Sequence, residues 1–504
     1  MKTYIFAIGG TGARVLRSLT MLLAAGVRGT STTKEIVPIV IDYDGDNGDT
    51  KRSQDIMDKY REIYHESYDK KINNHEEHFF CSPIRSLYEI IDDETILSSA
   101  ARFRLPLENM DRDTTFSGYI DYEALKQANG TLSTRRLLES LYSNEKPEKD
   151  GKENLKAELH MKLYHGFRGC PNIGCIVTRQ LIDNNALKQL PGLIKDGDRV
   201  FIVGSIFGGT GASGIPMLLD FFKKGDYKDT FQNIPVGVLA VTPYFNLTRV
   251  DASDSPIDSN TFIAKTKAAL KAYETTVYQL ADAIYMVGDN KIGNQFNNIE
   301  GGENQENNAH IVELVGAMMA LHFSNNDSID PDNKFFEFGL KNNPENNISL
   351  KYSDFYEEET SKPYFDPLAR FFILRHFFNN FMSDVNKWKE SDYWTSDAKD
   401  EHKKVGGLRE RGEFRKHLGE FFEYFNTWLK ELANMDYRPF ELFNLDESSY
   451  GKLLKYKDLE LSEDKVREYL STSADAIKEE YSKNPIELFF VAAYNAFDRV
   501  IPRS

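Results

Sequence analysis

Apolar residues fall along this chain in two alternating periods. Residues 3–8 ("TYIFAI") form a short apolar run that predicts a strand and ends on glycines. In "GARVLRSLTMLLAAG", Val15, Leu16, Leu19, Leu22 and Leu23 share one helical face, and Gly26 closes the helix. "EIVPIVIDYD" predicts a second strand, with Asp42 and Asp44 at its exit. Strand, loop, helix and strand in that order are the unit of a parallel sheet. "DRVFIVGS", "IPVGVLAVTP" and "DAIYMVGD" predict three more strands, separated by helices in "ASGIPMLLDFFKK" and "NTFIAKTKAALKAYETTVYQLA". Residues 45–128 are polar and read as helices and loops, 134–143 as a helix, and "EKPEKDGKEN" (145–154) as a solvated linker or exposed loop. Residues 307–323 ("NNAHIVELVGAMMALHF") predict a helix apolar enough to be buried on more than one face. From about residue 360 the strand–glycine alternation stops. "DPLARFFILRHFFNNFM", "EFRKHLGEFFEYFNTWLKELA" and "EDKVREYLSTSADAIKEEY" are helical in period. The expected architecture is α/β, followed by a mainly helical C-terminal domain over 324–504.

Composition narrows the classes. A chain of 504 residues with 40% hydrophobic and 28% charged residues can bury large cores and is expected to form two or three domains. A net charge of -16 argues against a broad nucleic-acid footprint or an anionic membrane surface, since either needs positive charge. Cys81, Cys170 and Cys175 are too few and too scattered for a disulfide framework or a zinc site, so a reducing cytoplasm is expected and no resident metal cluster. Cys170 and Cys175 are expected to pack inside, and His310 and His322, on an apolar helix, to be core histidines. The N-terminal apolar run is too short for a signal peptide, and no run approaches the roughly 18 apolar residues of a membrane span.

Two of the predicted strands leave through the same glycine pattern. "IFAIGGTGAR" (5–14) and "SIFGGTGASG" (205–214) each place Gly-Gly-Thr-Gly between an apolar run and a helix. Glycine there lets backbone N–H groups approach a phosphate, and the helix start adds partial positive charge. The phosphate loop of P-loop enzymes needs G-x-x-x-x-G-K-[ST], and neither loop has the lysine. The dinucleotide fingerprint G-x-G-x-x-G finds Val15 at its third glycine and Asp42 late for a ribose, and it leaves the second loop unexplained. A dinucleotide-dependent oxidoreductase is therefore disfavoured.

The ordered set of exits resembles the tubulin/FtsZ superfamily, as a divergent bacterial tubulin-like protein. Phe207-Gly208-Gly209-Thr210-Gly211-Ala212-Ser213, then Pro216, is similar to the family's G-G-G-T-G-[ST]-G loop, with Phe207 at the first glycine and Ser213 at the last. Gly9, Gly10, Thr11, Gly12, Ala13 and Arg14 resemble its first phosphate loop, and Asp42 and Asp44 open its second. "NGTLSTRRLLES" is similar to the third, with Gly130 and Arg135–Arg136. "VTPYFN" and "ADAIYMVGDNKI" resemble later exits, which would put Asn246 near the ribose or base and Asn290, beside Asp289, on the guanine edge. The resemblance covers roughly residues 1–335, with 50–125 and 145–190 as insertions. It implies a Rossmann-like parallel sheet with helices on both faces over 1–306 and a central helix at 307–323. It also implies GTP or GDP with Mg2+ as cofactors, the Thr210 and Ser213 hydroxyls as additional phosphate donors, and head-to-tail self-association into oligomers or filaments.

The same resemblance implies where hydrolysis would come from. In the family, a loop after the central helix carries N-x-D-x-x-[DE] and docks on the next subunit, where its acids orient the attacking water. Asn325-Asn326-Asp327-Ser328-Ile329-Asp330 fits, giving Asp327 and Asp330 as catalytic candidates. Asn308 to Glu313 is a near match, with Glu313 as the alternative. A non-hydrolysing nucleotide-binding scaffold or sensor in a multi-protein bacterial system, such as a defence system, stays open, with the C-terminal helices binding a protein partner. The aromatic clusters "RFFILRHFF" and "EFFEYF" are either helical core or that partner surface. In "HGFRGCPNIGC" (165–175), Arg168 is either a phosphate contact or part of a structural turn.

Overall fold

A computed structural model describes the chain except for residues 28–34, 69–77, 94–100, 106–110, 128–131, 144, 147, 150–151, 154–156, 249–256, 290–294, 300, 327–328, 331, 338–357, 389–407, 410, 482–483 and 503–504. Its centre is a six-stranded parallel sheet: β1 (Lys2–Ile8), β2 (Glu35–Ile41), β3 (Arg199–Ser205), β4 (Val236–Val241), β5 (Ala283–Val287) and β6 (Phe335–Glu337). The order across the sheet is β6-β5-β4-β3-β1-β2. Five strands are the apolar runs read above. β6 is the addition, too short for a periodicity signal.

Both faces of the sheet are covered, which explains why the strands read as continuous apolar runs rather than alternating ones. Tyr4, Phe6, Ile8, Val200 and Ile202 face one side, packed under helix α3 (Thr210–Lys223) and the segments around 159–190. Ile5, Ala7, Phe201 and Val203 face the other, under α1 (Gly9–Ala24), α2 (Gly48–Ser67) and α5 (Ile311–Asn325). Pro38 is tolerated inside β2 because β2 is the outermost named strand. The neighbouring outward positions, Ile36 and Val40, bond only to isolated residues near 84 and 104.

Several boundaries differ from expectation. The helix expected at 260–281 is broken at Thr276, into α4 (Phe262–Thr275) and a turn at Val277–Leu280. The helix expected at 307–323 starts at Ile311, because His310 caps it. The His310 ring accepts from the Val312 N–H, and Glu313 reaches back to the His310 N–H, a reciprocal cap. Burial holds the His310 pKa down at about 3, so the ring is neutral and able to accept. His322, half-buried on the same helix, meets the Tyr285 hydroxyl at 2.8 Å. The charge-rich stretch at 145–154 contains a small antiparallel pair, Glu148–Lys149 with Lys152–Glu153.

The C-terminal helices α6 (Glu358–Phe377), α7 (Gly412–Ala433), α8 (Glu463–Ile477) and α9 (Pro485–Asp498) join the apolar cluster of α1, α2 and α5. Phe80 meets Phe371, Phe421 and Phe490 at 5.0–5.7 Å between ring centres. The Trp428 indole donates to Ser18 Oγ at 3.2 Å. The aromatic clusters on α6 and α7 are therefore interior: Phe371, Phe372, Phe421, Phe422 and Phe425 are each fully buried. Cys175 departs from expectation. It is exposed on the outer side of the short helix Pro171–Val177, whose Ile173, Gly174 and Val177 face inward. Among the described residues, no helix is long and apolar enough to cross a membrane.

Gly12 sets the distance between α1 and β1. A methyl there would lie 2.7 Å from the Ala7 carbonyl carbon and 3.1 Å from the Val203 oxygen. Gly12→Ala is expected to cost about 3 kcal/mol in urea unfolding of the ligand-free protein. Gly10→Ala, whose methyl meets nothing nearer than 3.5 Å, is expected to stay within about 0.5 kcal/mol. Equal losses at both positions would contradict this account.

Candidate nucleotide site

The strand order explains why two similar loops occur so far apart in sequence. The chain leaves β1 for β2 on one side, then returns to place β3 on the other side of β1. In open parallel sheets, the crevice at such a reversal, beyond the carboxyl ends of the strands, is where ligands bind. The two glycine loops are the exits of the two strands flanking it, and both line one open cleft.

Helices α1 and α3 begin at these exits. Neither has a side-chain cap, and neither carries an acid in its first turn. Their first N–H groups and positive dipole ends are thus left to the cleft. Gly9, at φ 69°, faces Thr210: a methyl on Gly9 would sit 3.6 Å from Thr210 Cβ. The two helix starts therefore touch. Gly9, Gly10, Thr11, Arg14, Gly208, Gly209, Thr210 and Gly211 all line the cleft. Gly211 also lets α3 approach β3, since a methyl there would lie 2.7 Å from the Ser205 nitrogen. Gly12, Ala13, Ala212 and Ser213 are buried behind the lining. The Ser213 hydroxyl turns back to the Gly209 and Thr210 carbonyls at 2.9 and 3.0 Å, which commits it within its own helix.

Asp42 and Asp44 form an acidic wall beside these loops. Asp42 accepts from Thr50 Oγ1 at 3.0 Å and from the Asp44 N–H at 3.1 Å. Asp44 accepts from the Gly302 and Asp46 N–H groups at 2.6 and 3.1 Å. Burial, then the charge of Asp44, pushes Asp42 up to about 6. Burial also raises Asp44, against those backbone hydrogen bonds.

Arg14 lines the floor, but its guanidinium is already engaged. It pairs with Asp49, meets Glu313 at 2.5 Å through Nε, and donates to the Tyr244 hydroxyl at 2.7 Å. Tyr244 donates in turn to Glu313 at 2.8 Å. Glu313 also faces Arg17 at 3.7 Å, and Asp49 accepts from the Asn307 backbone and side chain at 2.8 and 2.7 Å. The cluster is completely buried and balances two arginines against two carboxylates. Glu313, the alternative catalytic candidate, is shut off from solvent, with both oxygens engaged by these partners and the His310 N–H.

Aromatic and aliphatic side chains also line the cleft, and the Arg14 guanidinium lies 5.6 Å over the Phe296 ring. Phe245 stacks on Phe296 at 4.6 Å, and Phe262, Leu247 and Ile257 join them. Phe207, bulky where glycine was expected, packs its ring among them, 4.8 Å from Phe262. Asn246 lies between the lining residues Phe245 and Leu247, in a two-residue strand paired with Gln295–Phe296, and does not itself line the cleft. Asp289 is buried off the cleft, 3.7 Å from Arg438. Asn290 and Gly130 lie outside the described residues.

The described part of the expected third loop stays off the cleft. It forms the helix Leu132–Leu141, with Arg135 turned to Glu139 at 3.5 Å. Residues 165–169 line the cleft instead. Phe167 packs on Tyr43 at 4.4 Å and against Gly209, anchoring this segment between β2 and α3. Its signal in sequence was the Gly-Phe-Arg-Gly cluster. Asn297, Gln305 and Asn307 also line the cleft, from a polar loop without a distinguishing pattern.

Asp330 is exposed and far from these groups. Its loop precedes β6, and the Ile284 N–H bonds to Lys334 O at the start of β5, so Asp330 sits at the amino end of the sheet. The cleft opens at the carboxyl end. Asp327 lies outside the described residues.

No family model matches the chain, and no curated protein matches it. Among solved structures, the chain is similar to CetZ2 from Haloferax volcanii, a GTPγS-bound protofilament, at 14% identity and TM-score 0.29, over 66% of this chain and 60% of that one. It is also similar to CetZ from Methanosaeta thermophila strain DSM 6194, at 12% identity and TM-score 0.25, over 66% and 57%. The chain thus spans less than two thirds of either length.

Glu313→Ala would leave Arg14 and Arg17 buried without a shared carboxylate, at an expected cost of about 3–5 kcal/mol in urea unfolding. Asp330→Ala, at an exposed position, should stay within about 0.5 kcal/mol. Asp42 gives a pH test. Its folded pKa of about 6 lies above the ordinary 3.8, so its stabilising contribution is complete below pH 3.8 and lost as pH rises through 6. Asp42→Asn should therefore stabilise the ligand-free protein at pH 7.5 by about 1–3 kcal/mol, with no gain near pH 4. A gap of equal size at both pH values would contradict the assigned shift.

Proposed function

We propose that this chain binds a guanine nucleotide, GTP or GDP with Mg2+, and associates head to tail, with GTP hydrolysed at the junction between copies. The meeting of two uncapped helix N-termini at the reversal of the sheet carries the reading. Two aligned sets of backbone N–H groups, with glycines that leave room for close approach, suit a run of phosphates better than a single anion. The aromatic residues in the lining suit the flat face of a base. Guanine over adenine rests on the family resemblance, which points to Asn246 and Asn290; Asn246 does not line the cleft, and Asn297, which does, is the candidate amide beside Asn290.

The residues present also suit Mg2+. Among the described residues, no three His, Cys, Asp or Glu side chains group to hold a metal on their own. Mg2+ commonly binds through one or two carboxylates together with phosphate oxygens and water, and Asp42 and Asp44 would supply the carboxylates. When bound, the ion would neutralise phosphate charge. Asp42, held near pH 6 by burial, would ionise more readily beside it.

Hydrolysis requires a second copy in this reading. Asp330 lies at the end of the sheet opposite the cleft and cannot reach the nucleotide of its own chain. A copy stacked on the first would bring Asp327 and Asp330 over that nucleotide, where a carboxylate can orient water.

Purified protein should carry guanine nucleotide, released on denaturation and identified by chromatography. GTP turnover per molecule should rise with protein concentration. Asp327→Ala and Asp330→Ala should lower turnover about a hundredfold while leaving nucleotide binding unchanged. Bound NAD, or no nucleotide binding, would overturn the reading. Binding without turnover, indifferent to both substitutions, would leave a nucleotide-binding scaffold.

A further inference from the structure

Resting on the nucleotide reading of the cleft, we infer that Glu431, on the C-terminal helix α7, is a positioning residue of the site. It holds residues 305–309 from behind, so that the cleft has its binding geometry only with the C-terminal helices docked. Gln305 and Asn307 line the cleft, and the strap they belong to runs from the start of α2 to the cap of α5.

Hydrogen bonds fix which way the two amides of this strap are turned. Asn47 Oδ1 accepts from the Thr50 N–H at 3.0 Å as the cap of α2, so Asn47 Nδ2 is the donor to Gln305 Oε1 at 2.7 Å. Gln305 keeps its Nε2 as a donor. The Asp49 carboxylate only accepts, so Asn307 turns Nδ2 to it, at 2.7 Å, and keeps Oδ1 as an acceptor. One donor and one acceptor of fixed polarity thus belong to the lining, suited to a nucleotide edge that carries an acceptor beside a donor.

Such groups bind well only when held at a set distance, and their backing comes from α7. Glu431 accepts from the Ala309 N–H at 2.8 Å, pairs with Arg52 of α2 at 2.5 Å and faces Arg17 of α1 at 3.6 Å. Arg17 donates in turn to the Asn307 carbonyl, at 3.5 Å from both terminal nitrogens. Arg52 stands one turn beyond Asp49, the partner of Asn307. A single carboxylate therefore reaches the strap directly and through both helices beneath it. Elsewhere α7 docks on α2 through Glu420 and Lys59, 2.7 Å apart, and neither lines the cleft.

The test measures GDP and GTPγS affinity with Mg2+ present, and thermal unfolding without nucleotide, for wild type, Glu431→Gln, Glu431→Asp and Leu418→Ala. Leu418 is fully buried on α7, about 20 Å from Glu431 along the axis, so its truncation loosens the same helix without touching the strap. Below its unfolding temperature, E431Q should bind both nucleotides about tenfold more weakly than wild type. E431D, which keeps the charge on a shorter side chain, should recover part of that loss. L418A should unfold at a lower temperature than wild type, yet bind both nucleotides within about twofold of it. E431Q that binds like wild type, or L418A that loses as much affinity as E431Q, would overturn the inference while leaving the nucleotide reading intact. If E431Q does not fold, E431D against L418A decides the inference in the same way. Wild type that binds neither nucleotide would overturn both.

Discussion

Arg14 carries its guanidinium to the point where α1, α2, α5 and the exit of β4 meet. There it is held by Asp49 of α2, Glu313 of α5 and Tyr244 beyond β4. Removing these three charged groups from water is costly, and packed apolar residues could stabilise the same space as well or better. What charges add is direction. A carboxylate and a guanidinium satisfy each other in few geometries, so the cluster fixes how α1 is turned about its axis. Arg14 stands one turn beyond Gly10, and the orientation of the phosphate loop follows from it. Arg17 extends the cluster to Glu431, 3.6 Å away on α7, and Glu431 accepts from the Ala309 N–H at 2.8 Å. The floor of the cleft and the C-terminal helices thus share one chain of buried charge.

Above that floor, the glycines divide two tasks. Gly9, Gly10 and Gly208 line the cleft, and Gly209 lines it while letting residues 167–170 lie close, since a methyl there would be 2.9 Å from Phe167 Cβ. Gly12 faces backbone, letting α1 lie close on β1, and Gly211 does both, opening to the cleft while letting α3 lie close on β3. The loops look repeated because each solves the same problem: a helix must start immediately after a buried strand and point its N–H groups outward. Phe207 fits because its ring packs against Phe245 and Phe262, which line the cleft with it.

The strands, the two glycine loops and the acids at the exit of β2 were legible in the sequence, because each depends on local spacing. Buried parallel strands must be short apolar runs, and a strand-to-helix turn open to a ligand must be rich in glycine. The aromatic runs on α6 and α7 left core and partner surface open, and their burial against Phe80 and Ser18 became visible only once the helices were packed. Asp42 could be marked as a candidate acid, but its raised pKa depends on burial and on Asp44, which no spacing records.

The sequence by itself determined the fold class and marked two strand exits for anions. Tertiary structure decided that those exits adjoin, because the strand order reverses between β1 and β3, and no local pattern states strand order. It decided that Glu313 is a buried tether rather than an acid facing solvent, since its partners Arg14 and Arg17 lie about three hundred residues away. It also brought the segment at 165–169, rather than the one near 130, onto the start of α3. That choice was made by Phe167 packing on Tyr43, a contact between distant residues that helical and strand periods cannot encode.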